Sequence, residues 1–332
     1  MRIAFCHHLS LGYYGGGEKW VINVAKELSY RGYHVEVFAL PFMLEGKAKI
    51  NPTEELEDIP YQERIKHKVQ ADIVYVTYNP LNWLNFQTTT PRIAGIHAQA
   101  YWTKINPRYG FKPNLANLLH KINGNFELKR FNAVHMVTNA YKITHPRVYY
   151  IPNFVDSQTY KPAQNKDPDF TVVYSSRLVW QKGWQVFQEA IKHLEKHEKR
   201  IKTKVAASKI KEQDMPEFLS RSHVALLPSE VDTFGLAIVE ALLCGTPVIT
   251  TPLTTHKALQ LPLIYADSAK TFAEETKKLC NLWYNNKEKY FKLAQHCRQQ
   301  ALKYDKHNIM NKLENMFKEV YNKPWPQQNH VY

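Results

Sequence analysis

Apolar positions along the 332-residue chain fall into short β-branched runs separated by stretches with a period near 3.6. The runs RIAFCHH (2–8), HVEVFAL (34–40), ADIVYVTY (71–78), RIAGIHA (92–98), AVHMVTN (133–139) and VYYIPN (148–153) predict a first series of strands. A second series is FTVVYSS (170–176), TKVAAS (203–208), HVALLPS (223–229), PVITT (247–251) and LPLIYAD (261–267). Such near-continuous apolar runs mark strands buried on both faces. Segments 17–31 and 184–199 carry helical periodicity, and 287–321 reads as helix with one break near Tyr304–His307. Strands alternating with helices in two series predict an α/β fold of two doubly wound, Rossmann-like parallel-sheet domains. The polar stretch 156–169, with two prolines and no period, reads as a linker between domains spanning 1–155 and 170–305. In such sheets ligands bind beyond the carboxyl ends of strands, so functional residues are expected just after the runs above.

Composition adds two constraints. A hydrophobic fraction of 44% is ample for buried cores, and four scattered cysteines without a C-x-x-C pair fit a reducing, cytoplasmic compartment. The N-terminal apolar run is short and broken by His7 and His8, so it does not read as a signal peptide. No apolar run is long enough for a transmembrane helix, and a soluble or membrane-peripheral protein is expected.

The net charge of +14 is concentrated: within 101–150, Lys104, Arg108, Lys112, Lys121, Lys129, Arg130, Lys142 and Arg147 face one acid, Glu127. Tyr101, Trp102, Tyr109, Phe111, Phe126 and Phe131 interleave with them. A solvated surface, an anionic membrane face and a polyanionic acceptor, nucleic acid included, all fit this balance. No RRM or C2H2 signature is present, and no obligate protein partner is evident.

Chemistry-bearing residues gather in four places. In PSEVDTFGLAIVEALLCGTPVI (228–249), Pro228–Ser229 ends a strand and Asp232 or Thr233 is the expected N-cap of a helix that Gly245 terminates. Eight helical residues rise about 12 Å and bring Asp232 and Glu240 within about a quarter turn of one face. That offset exceeds the roughly 5–9.5 Å of a glycosidase carboxylate pair and suits gripping both ends of one extended ligand. The amides at such a helix start suit phosphate.

In VVYSSRLVWQKGWQVFQEAI (172–191), Arg177 and Lys182 follow a strand end, a bidentate fork and a point charge fit to neutralise an anionic leaving group. In LGYYGGGEKW (11–20), Gly15, Gly16, Gly17 and Glu18 join a strand to a helix without the G-x-G-x-x-G of a dinucleotide site. His97 stands at the end of RIAGIHA. DPD at 167–169 spells a D-x-D metal motif but lies in the polar stretch with a proline inside, and is read as chance; no metal and no cofactor are expected. His7 and His8 are left unassigned.

These motifs resemble those of the family 4 retaining glycosyltransferases, whose pattern is P-S-x-x-E-x-F-G-L-x-x-x-E-A-x-x-x-G-x-P-V-I with an upstream G-R-L-x-x-x-K-G and an N-terminal G-G-x-E. The resemblance implies a GT-B fold, two Rossmann-like domains facing across a cleft, with a C-terminal helix at about 306–325 returning to the first domain. It implies metal-independent transfer of a sugar from a nucleotide-diphosphate donor to an acceptor hydroxyl. Asp232 then contacts the donor sugar, and the Phe234, Gly235 and Leu236 amides face the diphosphate, with Thr233 beside them. Glu240 holds the ribose, and Arg177 and Lys182 stabilise the departing diphosphate. Gly16 and Gly17 lie near the diphosphate and acceptor, and His97 lies near the reaction centre.

The acceptor is expected to be lipid-linked at an anionic membrane, or polyanionic. The chain departs from the pattern at Asp232 (usually Glu), Ser176 (usually Gly) and, in a hinge segment, Phe154 and Tyr160. Residues 184–227 are short and glycine-free where the family carries an extra unit, which leaves the nucleotide base open. A non-catalytic binding protein, or an epimerase or phosphorylase of the same fold, remain alternatives.

Overall fold

A computed structural model describes residues 1–43, 49–97, 106–206 and 210–323. The chain divides into two units, Met1–Pro152 with Met310–Tyr332, and Asn153–Ile309. The first holds a seven-stranded sheet of β1 (Arg2–His7), β2 (His34–Ala39), β3 (Tyr61–Glu63), β4 (Ile73–Thr77), β5 (Arg92–Ile96), β6 (Ala133–Met136) and β7 (Val148–Tyr150) in the order 3-2-1-4-5-6-7. The second holds β8 (Phe170–Tyr174), β9 (Ile201–Val205), β10 (Val224–Leu227), β11 (Val248–Thr250) and β12 (Ile264–Tyr265) in the order 9-8-10-11-12. Every strand pair in both sheets is parallel.

The helices are α1 (Gly16–Tyr30), α2 (Pro52–Leu56), α3 (Phe111–Leu128), α4 (Trp184–His197), α5 (Met215–Ser220), α6 (Leu236–Leu243), α7 (Thr254–Ala258), α8 (Ala269–Asn285), α9 (Lys287–Ala301) and α10 (Lys306–Asn322). Among the described residues no helix is long and apolar enough to cross a membrane.

All eleven runs expected to form strands contain all or most of one. β4, β6, β8, β10 and β11 are buried along their whole length, with Val172, Val224, Leu226 and Ile249 in one core and Ala4, Val74, Val76 and Val134 in the other. β7, β9 and β12 are only partly buried. Sequence pattern misses β3 and a two-stranded ribbon of His67–Lys68 and Phe86–Gln87. β3 is a largely exposed edge strand, and the ribbon is too short to carry a period. The runs also overshoot: His97, Ser175–Ser176 and Pro228–Ser229 follow their strands. Of the expected features, Ala98, Tyr101, Trp102, Lys104, Ala207, Ser208 and residues 324–325 lie outside the described residues.

From Met310 onward α10 belongs to the first unit, where the Phe317 ring meets Phe5 and Tyr75, each at a centroid distance of 6.0 Å. Glu314 on the same helix accepts from Arg31 and from the Tyr33 hydroxyl, both at 2.8 Å. The stretch 156–169, expected to be a linker, is instead held by the second unit. Lys166 donates to the carbonyls of Ser222 (2.6 Å) and Gly245 (2.9 Å), and Asp167 pairs with Lys204 (2.6 Å) and Arg221 (3.0 Å). Its polar composition therefore reflects side chains that bind the unit's own backbone and charges. Asp167 of the D-x-D sequence is thereby committed to two cations.

In each sheet the strand order reverses beside the first strand, β1 lying between β2 and β4 and β8 between β9 and β10. These are the switch points at which open α/β sheets bind ligands. The loops after β8 and β10 are tied together there. The buried Tyr174 hydroxyl is shared between the carbonyls of Arg177 (2.8 Å) and Lys182 (3.0 Å), and the Gln181 carbonyl accepts from the amides of Glu230 (2.9 Å) and Val231 (3.0 Å). Gly183 turns the chain into α4 with φ +70°, and a Cβ there would stand 1.8 Å from the Pro228 carbonyl oxygen. Gly183→Ala is expected to cost about 3 kcal/mol or more, from overpacking and a left-handed backbone together. Thermal or urea unfolding checks it, and an unchanged midpoint contradicts this reading of the loop contact.

Candidate functional site

In the second unit the loops from β8 and β10 bring Lys182 and Asp232 together, Nζ to Oδ2 at 2.8 Å, both side chains largely buried. Burial by itself raises the Asp232 carboxyl, but the ammonium of Lys182 and the imidazole of His256 outweigh it and hold the acid well below the usual carboxylate range. Asp232 is therefore ionised, and the pair is a charged one. Arg177, on the same loop as Lys182, is exposed and makes no ion pair among the described residues.

Asp232 does not cap the helix. α6 starts at Leu236, its N-cap is Gly235 with φ +92°, and no side chain caps it. The Asp232 Oδ1 receives only a long contact from the Phe234 amide, 3.4 Å. The expectation of Asp232 or Thr233 as N-cap fails because the carboxylate is already taken by Lys182, and the 12 Å helical offset to Glu240 fails with it. The amides of Gly235, Leu236 and Ala237 have no acceptor among the described residues, so the positive end of α6 stays uncapped beside Lys182 and Asp232. At the other end Gly245 (φ +65°) closes the helix as expected, Thr246 donating to Ala241 at 3.0 Å.

The remaining second-unit residues divide. The Phe234 ring is buried edge-on against Tyr304 at 5.5 Å, so only its backbone is available to a ligand. Glu240 is half-buried on α6. Thr233 is buried and its hydroxyl has no hydrogen-bond partner, like Ser175 Oγ after β8 and His256 Nε2. Unpartnered buried polar atoms are rare in folded proteins, and these three all follow the carboxyl ends of neighbouring strands.

His256 is a residue that sequence pattern misses. It is fully buried on α7, with Nδ1 3.0 Å from Thr250 Oγ1 and 3.1 Å from the Thr251 carbonyl. Thr250 itself donates to the Leu227 carbonyl at 2.7 Å, so both oxygens accept and Nδ1 carries the hydrogen. Nε2 is the end turned to Asp232, 3.7 Å from Oδ2. A lone histidine in a five-residue helix has no period or motif to mark it.

The first unit holds a second polar cluster on β1, β4 and β6 and just after β5. His135 Nε2 donates to the Ile151 carbonyl at 2.7 Å, so its Nδ1 accepts from the Tyr75 hydroxyl at 2.6 Å, and Tyr75 in turn accepts from His97 Nε2 at 2.9 Å. Burial, reinforced by the neighbouring histidines, pushes the His97 pKa well down, so His97 is neutral and its Nδ1 is left as an acceptor. Gly95 makes room for this chain: a Cβ there would lie 2.0 Å from the Tyr75 hydroxyl. Neither Tyr75 nor His135 is marked in the sequence; a glycine inside a strand run is the available signal.

Beside them the buried pair His7 Nε2 and Glu18 Oε1 stands at 2.8 Å, and Thr77 Oγ1 lies 2.7 Å from His7 Nδ1. Burial alone raises the Glu18 carboxyl, but the hydrogen bond and charge of His7 prevail and lower it. Glu18 opens α1, which begins at Gly16. Of the three glycines, Gly15 is the constrained one, its Cβ position 2.7 Å from Glu18 Oε2, whereas Gly16 has open space and Gly17 only an ordinary contact with His7. Among the described residues no group of three or more His, Cys, Asp or Glu is placed to hold a metal ion.

A family model described as glycosyl transferases group 1 matches residues 202–259, the span from β9 to α7 that holds Asp232, Gly235, Glu240 and His256. Solved structures cover nearly the whole chain. A sucrose-phosphate synthase from Thermosynechococcus elongatus is 12% identical with a TM-score of 0.73, over 97% of this chain and 100% of that one. HepE of Anabaena, in complex with UDP and glucose, is 16% identical with a TM-score of 0.67, over 97% and 100%. A glycosyltransferase from Rickettsia africae is 16% identical with a TM-score of 0.72, over 96% and 98%. A search of curated proteins finds no match. At these identities the likeness is one of fold, and the fold is that of the GT-B glycosyltransferases.

Two fully buried histidines give a pH dependence. Burial lowers His135 to about 4 and His223 to about 3, below the unfolded value near 6.5. The unfolded chain binds more protons below pH about 6.5, so their contribution to stability is complete above that value and is lost as pH falls toward 4. Thermal scans should show the melting temperature dropping on the order of 10 °C between about pH 7 and pH 4. A flat or rising profile over that window contradicts the buried neutral assignment.

Proposed function

We propose that the chain is a retaining, metal-independent glycosyltransferase that moves a sugar from a nucleotide-diphosphate donor to an acceptor hydroxyl. The observation that carries this reading is the Lys182–Asp232 pair beside the uncapped start of α6, at the switch point of the second sheet. Diphosphate oxygens match the open amides of Gly235, Leu236 and Ala237. Lys182 has two ammonium hydrogens beyond the one that meets Asp232, and the exposed Arg177 guanidinium offers a fork.

As the sugar–phosphate bond breaks, negative charge grows on the leaving diphosphate. Preorganised cations and amides at that point stabilise the transition state more than the ground state. The acceptor oxygen bonds to the anomeric carbon on the face the phosphate leaves, and its proton passes to a phosphate oxygen. Asp232 orients the sugar hydroxyls, with Thr233 and Ser175 as further hydrogen-bonding groups. Glu240 takes the ribose. His97, neutral with Nδ1 accepting, binds a sugar hydroxyl, and the loop of Gly16 and Gly17 serves the acceptor side.

The complexes of HepE with UDP and with UDP-glucose support a uridine donor as the first to examine. The basic balance of the first unit favours a lipid-linked acceptor at an anionic membrane, with the protein acting from the cytoplasmic side.

Calorimetric titration with UDP-glucose and a panel of other nucleotide-diphosphate sugars tests donor binding. At least one should bind the wild type, and Arg177→Ala should weaken it about tenfold to a hundredfold by removing a charge-assisted hydrogen bond. The melting temperature should stay unchanged, since Arg177 is exposed. Absence of binding by every donor sinks the proposal. In turnover, Arg177→Ala should lose about two orders of magnitude or more, and near-full activity removes Arg177 from the mechanism.

A further inference from the structure

Helix α3 has two unlike faces. Asn117, Glu127 and Leu128 are buried, and Glu127 anchors the helix by accepting from the Tyr78 hydroxyl at 2.7 Å and from Trp83 Nε1 at 3.1 Å. On the other side Phe111 is 80% exposed, Phe126 60%, and Leu115 and Leu118 each 43%. At 100° per residue these four positions fall within an arc of about 80°, so they form one apolar stripe along the helix. Leu81 and Leu84, on the loop whose Leu81 amide contacts Glu127, are also exposed. Large apolar side chains aligned on a solvent face are unusual for a monomer and mark a surface that something covers.

The charges around the stripe say what covers it. Arg108, Lys121 and Lys129 are exposed at its borders, and the single acid of the segment, Glu127, is buried and engaged inward. A second copy of this chain would set one basic face against another. A nucleic acid would use the cations but leave the leucines in water. An anionic bilayer satisfies both halves, its phosphates meeting the basic side chains and its acyl boundary taking the apolar ones.

We infer that the outward face of α3 docks the protein on an anionic lipid bilayer, with Phe111, Leu115, Leu118 and Phe126 entering the acyl boundary and Arg108, Lys121 and Lys129 against the headgroup phosphates. This places the proposed lipid-linked acceptor beside the first unit; to that extent it rests on the glycosyltransferase reading, whereas membrane attachment itself does not.

The test is sedimentation of the full chain with vesicles of phosphatidylcholine alone and of phosphatidylcholine mixed with phosphatidylglycerol, at physiological salt. The wild type should sediment with the mixed vesicles and stay in solution with the neutral ones. Phe111→Ser combined with Phe126→Ser, and separately Lys121→Glu combined with Lys129→Glu, should each weaken vesicle binding about tenfold or more. All four sites are exposed, so the melting temperature and donor affinity should be unchanged.

Equal behaviour with both vesicle types overturns the inference, as does wild-type binding by both variants. A concentration-dependent dimer in gel filtration that the serine variant abolishes assigns the face to a second copy instead. A gel shift with RNA or DNA that the glutamate variant abolishes, without vesicle binding, assigns it to nucleic acid. Vesicle binding without any donor binding would refute the glycosyltransferase reading and leave this one standing; donor binding without vesicle binding would do the reverse.

Discussion

The loops of the second unit that carry its candidate site are organised around one largely buried ion pair. Lys182 comes from the loop after β8 and Asp232 from the loop after β10, and their contact at 2.8 Å adds to the backbone hydrogen bonds at Gln181 and the close approach of Gly183 to Pro228 in fixing the spacing of the two segments. Removing either partner would leave a largely buried charge uncompensated, which is costly. The depressed Asp232 pKa keeps the carboxylate ionised across the physiological range. The neighbouring features follow from the same constraint. Tyr174 holds the Arg177–Lys182 turn in shape, Gly183 lets that turn pass the Pro228 carbonyl, and α6 begins with an uncapped end because its expected capping acid faces Lys182.

The parts of this arrangement that sequence revealed are those with a one-dimensional signature. Fully buried parallel strands are continuous β-branched runs, and Arg177, Lys182, Asp232 and Glu240 stand out as charges at fixed distances from glycines and strand ends. The start of α6 was not legible. An aspartate four residues before a helix is a good N-cap candidate until a lysine fifty positions upstream is folded against it, and Gly235 takes the left-handed turn instead. His256, Tyr75 and His135 were hidden for a related reason: each acquires its role from partners on other strands. Among the glycines, sequence pointed to Gly16 and Gly17, whereas the steric demand falls on Gly15, because Glu18 folds back toward His7.

The two units carry different chemistry at equivalent places in their sheets. The second presents paired opposite charges, open amides and unpartnered hydroxyls. The first presents neutral histidines ordered by a directional chain from His97 through Tyr75 to His135, with its positive charge on the outside around α3. Polar groups on the sheet and surface charge on one helix are separate devices.

Everything proposed for the reaction depends on an anion site at the start of α6. A crystal structure of the protein with a bound nucleoside diphosphate decides this most directly. The account predicts diphosphate oxygens within hydrogen-bond distance of the Gly235, Leu236 and Ala237 amides, with Lys182 and Arg177 turned to them and Asp232 still beside Lys182. A diphosphate seated elsewhere, or one bound without either cation, would contradict it.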